Sequence, residues 1–142
     1  NHFHILAREK IEDGISLLMK KALTSYSSDF NKKYQRTGTL FESRFKAKHA
    51  DTDEYLKYLF GYIHLNPVKL IEPMWKEKGI QNMPQARDFL EKYEYSSYLD
   101  YVSDNPRKWS TILNQGAFPE YFHKVADFKS FIQDWLNFKD LL

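Results

Sequence analysis

The hydrophobic and polar positions change period several times along the chain. Residues 1–7, NHFHILA, alternate: His2 and His4 fall on one side, Phe3 and Ile5 on the other. That is the period-2 pattern of a strand. After Glu12, Asp13 and Gly14 the period lengthens. Ile15, Leu18, Ala22, Tyr26, Phe30 and Tyr34 recur at steps of three and four and predict a helix over 13–36 with that stripe, Tyr34 included, in the core. Gly38 is the expected C-cap. A second stripe of the same helix, Lys21, Ser25, Ser28, Lys32 and Arg36, is polar and basic. Residues 39–50, TLFESRFKAKHA, alternate again. Phe45, Ala47 and His49 have one parity and Arg44, Lys46 and Lys48 the other, which predicts a basic-faced strand over 43–49. Asp51, with Glu54 three residues on, reads as the cap of a helix over 52–66. Pro67 ends it, because the residue before a proline is pushed out of the helical region. Leu56, Leu59, Phe60 and Ile63 form its core face.

Beyond Pro67 the pattern predicts a loop over 68–83 with a short helical piece around Trp75. A short helix follows over 84–92, with Pro84 in its first turn. Residues 93–101, YEYSSYLDY, are rich in aromatics and serine. Two more helices are expected, over 117–123 and over 125–139. The second carries Phe128, Phe131, Ile132, Trp135 and Phe138 on one face. No internal repeat or low-complexity tract interrupts the 142 residues, a length that suits one domain with a real core.

Composition narrows the chemistry. With no cysteine in the chain, disulfides, thiolate zinc sites and cysteine nucleophiles are excluded. No apolar run approaches the roughly 18 residues that a membrane span needs, and no signal peptide is visible at the start. The net charge of +2 is unevenly spread: residues 1–50 hold ten Lys/Arg against five Asp/Glu, and residues 51–142 hold eleven against fourteen. A basic first third points to a polyanionic partner; it also suits a solvated basic helix face.

Two constellations can carry chemistry. In a strand, His2 and His4 project to one face about 6.5–7 Å apart at their base, a spacing from which two imidazoles can converge on one divalent ion. A half-buried strand with two surface histidines has the same pattern. On the helix before Pro67, Tyr62 and Asn66 lie four residues apart and share a face. A phenol and an amide oxygen there suit a nucleophile and a metal ligand, provided a divalent ion polarises the phosphodiester under attack. A core tyrosine and a helix C-cap would leave the same spacing. Gly61, inside that helix, costs up to about 1 kcal/mol relative to alanine and marks either a kink or close packing.

Four stretches, NHFHIL (1–6), FNKKYQRTGTLFESRFKA (30–47), YLKYLFGYIHLNPVK (55–69) and YEYSSY (93–98), come in the order and spacing of the REP-associated tyrosine transposases. The chain resembles that family of single-tyrosine HUH transposases over roughly residues 1–101. The resemblance implies an α+β fold: the helix-rich C-terminal part of a ferredoxin-like domain that retains one or two strands (1–101), with a helical extension (102–142) packed on it. It implies that His2, His4 and Asn66 bind a divalent ion, magnesium or manganese, and that Tyr62 is the nucleophile. The implied activity is cleavage and rejoining of single-stranded DNA beside a hairpin through a 5′-phosphotyrosine link, without ATP, by a cytoplasmic, nucleoid-associated transposase. Lys21, Lys32 and Arg36 on the basic stripe, and Arg44 and Lys46 in the family-like stretch, then become the expected phosphate contacts. Exposed aromatics such as Phe41 become candidates for base stacking.

The chain departs from the family in carrying no strands and helix ahead of the histidines, so the resemblance implies an N-terminally truncated domain whose histidine pair is less well organised. An exposed strand edge there would also favour pairing between two copies into a homodimer. Two other readings stay open: a nucleic-acid-binding module that keeps the scaffold without the chemistry, and a helical protein-interaction domain. A zinc hydrolase fits least, since no HExxH spacing is present.

Overall fold

The structure, a computed structural model, describes residues 2–103, 105–117 and 125–137, with the side chains of 136 and 137 not described. The described residues are helical, and none is in a strand. This corrects the α+β, ferredoxin-like expectation: residues 2–7 and 43–49 are irregular. The reason is backbone pairing. Alternation specifies which way side chains would face in a strand, but a strand exists only when a neighbour takes up its N–H and C=O groups. Neither segment has such a neighbour among the described residues. Phe3 and Ile5, expected on a packed face, are exposed. The strand edge expected to pair two copies is likewise missing among the described residues.

The chain divides into two compact units, Asn1–His4 with Thr52–Leu142, and Ile5–Asp51. The second is built on α1 (Gly14–Lys33). The Asp13 side chain caps nothing and its backbone is left-handed, with φ of 58°. The Glu9 carboxylate supplies a cap instead, accepting from the Ile15 N–H at 3.1 Å. At the far end the helix stops four residues earlier than Gly38. Gln35 takes the left-handed turn (φ 50°), and the Arg36 and Gln35 N–H groups donate to the Asn31 and Lys32 carbonyls at 2.9 and 3.5 Å, a Schellman-type closure. Gly38, also at positive φ, is fastened by its carbonyl to the Asn31 amide at 2.9 Å. The apolar stripe of α1 is mostly uncovered. None of its residues is buried; the one buried residue of α1, Met19, lies off the stripe, while Leu18, Tyr26 and Tyr34 are each more than half exposed. Tyr34 is therefore not a core residue.

The first unit holds the core. Helix α2 (Asp53–Leu65) is capped by Thr52 rather than Asp51: the Thr52 hydroxyl accepts from the Tyr55 N–H at 3.1 Å. Pro67 does not stop the coil. It tightens it into a 3₁₀ turn, Asn66–Leu70, with the proline in its first positions, where no N–H is needed. Then come α3 (Trp75–Lys78), α4 (Met83–Leu90, with Pro84 in its first turn), α5 (Tyr98–Val102), 3₁₀ turns at Lys108–Ile112 and Gln115–Ala117, and α6 (Val125–Asn137). Apart from Ala117, the helix expected over 117–123 lies outside the described residues, as does Phe138.

The centre of the core is aromatic. Phe60 of α2 meets Tyr101 and Phe128 edge-on, with ring centroids 5.1 and 5.8 Å away, a favoured geometry for aromatic pairs. Leu65, Val68, Ala86, Leu90 and Ile132 fill the rest. Two polar arrangements lock this core. The His64 imidazole is buried; its Nδ1 donates to the Phe60 carbonyl at 2.7 Å and its Nε2 accepts from the Ser97 hydroxyl at 2.8 Å. Burial pushes His64 down to about 4, against the pull of its Phe60 hydrogen bond and the Asp100 charge, so the ring is neutral at pH 7. Arg107 pairs with Asp100 and also donates to the Ser96 and Glu94 carbonyls at 2.8 and 3.1 Å. Burial pushes the Asp100 carboxyl up, and hydrogen bonds from Arg107 and Ser110 more than reverse it, holding it below the usual carboxylate range. Gly61 is explained by α6: a Cβ on it would stand 2.6 Å from Cε2 of Trp135. The glycine therefore marks close packing.

Candidate active site

The outward side of α2 carries a row of phenols. Tyr58 and Tyr62 are one turn apart with nearly parallel rings (2° between planes, centroids 6.2 Å), and Tyr55 extends the row at 6.1 Å from Tyr58. The row forms because α2 turns its core side, with Phe60, Gly61, His64 and Leu65, inward. At the C-terminal end of the row Tyr62 is flanked by Trp75, centroid to centroid 6.5 Å.

The histidines meet this row. His2 and His4 bring their Nε2 atoms to 3.2 Å from each other, and the His4 ring stands edge-on to Tyr62, centroids 5.4 Å apart. Without a sheet, the irregular 2–7 segment still brings both imidazoles to one place. Two nitrogens on one ion at about 2.0–2.1 Å, with angles between square and tetrahedral, stand about 2.9–3.4 Å apart, and the observed separation falls within that range. Lost hydration holds the His4 imidazole below its ordinary value, and repulsion from His2 and Lys76 adds to this. That favours the neutral ring whose lone pair a metal needs. Two imidazoles offer borderline nitrogen donors and an amide offers a hard oxygen donor, a mixed set that a divalent ion can take up with water in its remaining positions. Among the described residues no group of three or more His, Cys, Asp or Glu converges.

Asn66 is the expected third ligand. It stands one turn beyond Tyr62, half-buried, at the junction of α2 and the 3₁₀ turn, and its N–H donates to the Tyr62 carbonyl. Among the described residues no hydrogen bond joins it to His2 or His4. His2, His4 and Tyr62 are thus brought together, with Asn66 adjacent along the helix. The expected DNA contacts Lys21, Lys32, Arg36, Arg44 and Lys46 all belong to the other compact unit and all are exposed. Of these, Arg36 lies over the Phe30 ring at 5.7 Å.

No family model, curated protein or solved structure matches the chain.

The site holds a further side chain that periodicity did not reveal. The Lys76 ammonium donates to the Tyr62 hydroxyl oxygen at 2.7 Å and lies 4.1 Å from the centre of its ring. Lys76 follows Trp75, which is 7% exposed and anchors α3. The Glu72 carboxylate closes the surrounding loop by accepting from the Gln81 and Asn82 N–H groups at 2.8 and 3.0 Å. Nothing in the spacing from residue 62 to residue 76 signals the meeting, because an irregular turn intervenes. The only local hint was a lysine beside a tryptophan in a short helical stretch.

Proposed function

We propose that the chain acts as a metal-dependent tyrosine transposase, a single-strand DNA endonuclease and strand transferase acting beside hairpins. The observation that carries this reading is the convergence of the His2 and His4 Nε2 atoms, 3.2 Å apart, with the His4 ring against Tyr62. A paired imidazole site touching a phenol on a rigid helix brings a cation site and an oxygen nucleophile to the same phosphate.

Each residue then has a role. His2 and His4, with the Asn66 amide, hold magnesium or manganese. The ion, when bound, supplies Lewis-acid polarisation of the phosphoryl group. Tyr62 is the nucleophile. Its ring neighbours those of Tyr58 and Trp75, and its oxygen accepts a hydrogen bond from Lys76; an oxygen held in place reduces the orientational cost of attack. Exchange of one phosphate ester for another leaves the chain joined to the 5′ end with no outside energy source. Lys21, Lys32, Arg36, Arg44 and Lys46 serve as phosphate contacts that raise affinity in a salt-dependent, largely sequence-independent way. Work on chromosomal DNA belongs in the cytoplasm. No described helix is long and apolar enough to cross a membrane.

The test is a covalent adduct. Incubated with single-stranded hairpin DNA and magnesium or manganese, the chain is expected to form a denaturation-resistant complex whose linked peptide contains Tyr62. Tyr62→Phe is expected to bind the DNA and form none. Equal adduct from both proteins would refute the assignment. A second reading, a nucleic-acid-binding module without chemistry, draws on the exposed basic residues of Ile5–Asp51. It predicts salt-dependent binding and no adduct in either protein.

A further inference from the structure

The geometry points to Lys76 as a second catalytic residue, a fixed cation on the attacking and departing oxygen of Tyr62; this rests on the reading of Tyr62 as nucleophile. Two observations carry it. The ammonium reaches the phenol oxygen itself, at 2.7 Å, in a charge-assisted hydrogen bond, and its 4.1 Å from the ring centre follows from that contact. And it is presented by α3, whose preceding residue Trp75 is anchored in the core and flanks the same tyrosine.

The contribution follows from where charge appears. In cleavage, the Tyr62 hydroxyl gives its proton to solvent and the oxygen forms a bond to phosphorus. The bond from phosphorus to the 3′ oxygen breaks, and that oxygen takes a proton from solvent. In joining, a 3′ hydroxyl gives its proton to solvent and bonds to phosphorus, the bond from phosphorus to the Tyr62 oxygen breaks, and that oxygen takes a proton from solvent. The tyrosine oxygen carries negative charge in the transition state of both directions. A preorganised ammonium already in contact with it stabilises that charge with no rearrangement at the moment of reaction. The same ammonium is beside any phosphate that Tyr62 attacks, where it meets the non-bridging oxygens.

The test compares Lys76→Met, which keeps length and removes charge, with Lys76→Arg, which keeps charge. In single-turnover reactions of the full chain with hairpin DNA and magnesium, Lys76→Met is expected to slow adduct formation and rejoining alike, by about 10²-fold. Its DNA affinity is expected to change by less than about threefold, the split that separates transition-state from uniform binding. Lys76→Arg is expected to recover most of the rate. Independently of activity, the Lys76 side-chain nitrogen resonance, without metal or DNA, is expected to shift in Tyr62→Phe. Parent-like rates in Lys76→Met, a loss of affinity that accounts for the loss of rate, or an unmoved nitrogen resonance would each overturn the role of Lys76. If Tyr62→Phe is inert while Lys76→Met runs at parent speed, only the lysine inference falls. If Tyr62→Phe still forms adduct, the reading beneath it falls.

Discussion

Helices α1 and α2 carry apolar residues at the same three-four spacing, yet they end in opposite circumstances. In α2, thirteen residues long, Phe60, Gly61, His64 and Leu65 are buried and rings from α5 and α6 close over them. In α1, twenty residues long, only Met19 is buried, and Leu18, Tyr26 and Tyr34 face outward. The same period thus built one helix into a core and left the other held by its ends: the Glu9 carboxylate at the start and the Gln35 turn at the finish. Periodicity reports that a helix has a sticky side. It does not report whether anything covers that side, because cover comes from elements far along the chain.

That contrast can be broken in three places, taken from the largest effect downward. Phe128 is 1% exposed and touches Phe60, His64, Tyr98 and Tyr101. Phe128→Ala is expected to cost about 3–5 kcal/mol, read from the urea midpoint; a loss near zero would mean that α6 does not close the core.

Next comes acid. The folded-state value of His64 lies at about 4, below the ordinary 6.5, so between those values the unfolded chain binds the extra proton. The stability His64 contributes is therefore complete above about pH 6.5 and falls as the pH drops toward 4, by about 3 kcal/mol over that window. Urea midpoints measured from pH 7 to pH 4 should show the slope, and His64→Gln should flatten it. A slope of equal size in that variant would move the effect to another group.

The smallest effect is expected in α1. Leu18→Ala removes a side chain that is 55% exposed and should change stability by no more than about 0.5 kcal/mol. A cost several times larger would show that the outer side of α1 is covered in solution, which would erase the contrast.

Much of the helical skeleton was legible. The 13–36 pattern produced Gly14–Lys33, Pro84 marked the first turn of α4, and the phenylalanines and isoleucine at 128, 131 and 132 marked α6. What failed was whatever depended on a partner. His2 and Phe3 alternate as in a strand, but alternation cannot supply a neighbouring strand. Asp51 and Glu54 had the letters of a capping box, while Thr52, one residue later, held the geometry. Gly38 was the expected stop, but Gln35 bent first. At the candidate site, the His pair and Tyr62 stood out because each sits on one short stretch, although spacing left their roles open and only the resemblance assigned them. Lys76 did not stand out, because its approach to Tyr62 depends on the course of the turn after Pro67. His64 was silent for a related reason: its burial is settled by Ser97, Tyr101 and Phe128, all more than thirty positions away in the chain.

Gly61 and Trp135 tie the reactive face of α2 to a helix that bears none of the residues proposed for chemistry. The indole lies flush on bare backbone behind Tyr62 and also meets the Tyr58 ring at 5.4 Å. Helix α6 therefore works as a splint: one indole braces both the backbone at Gly61 and the Tyr58 ring, more than seventy places upstream of it.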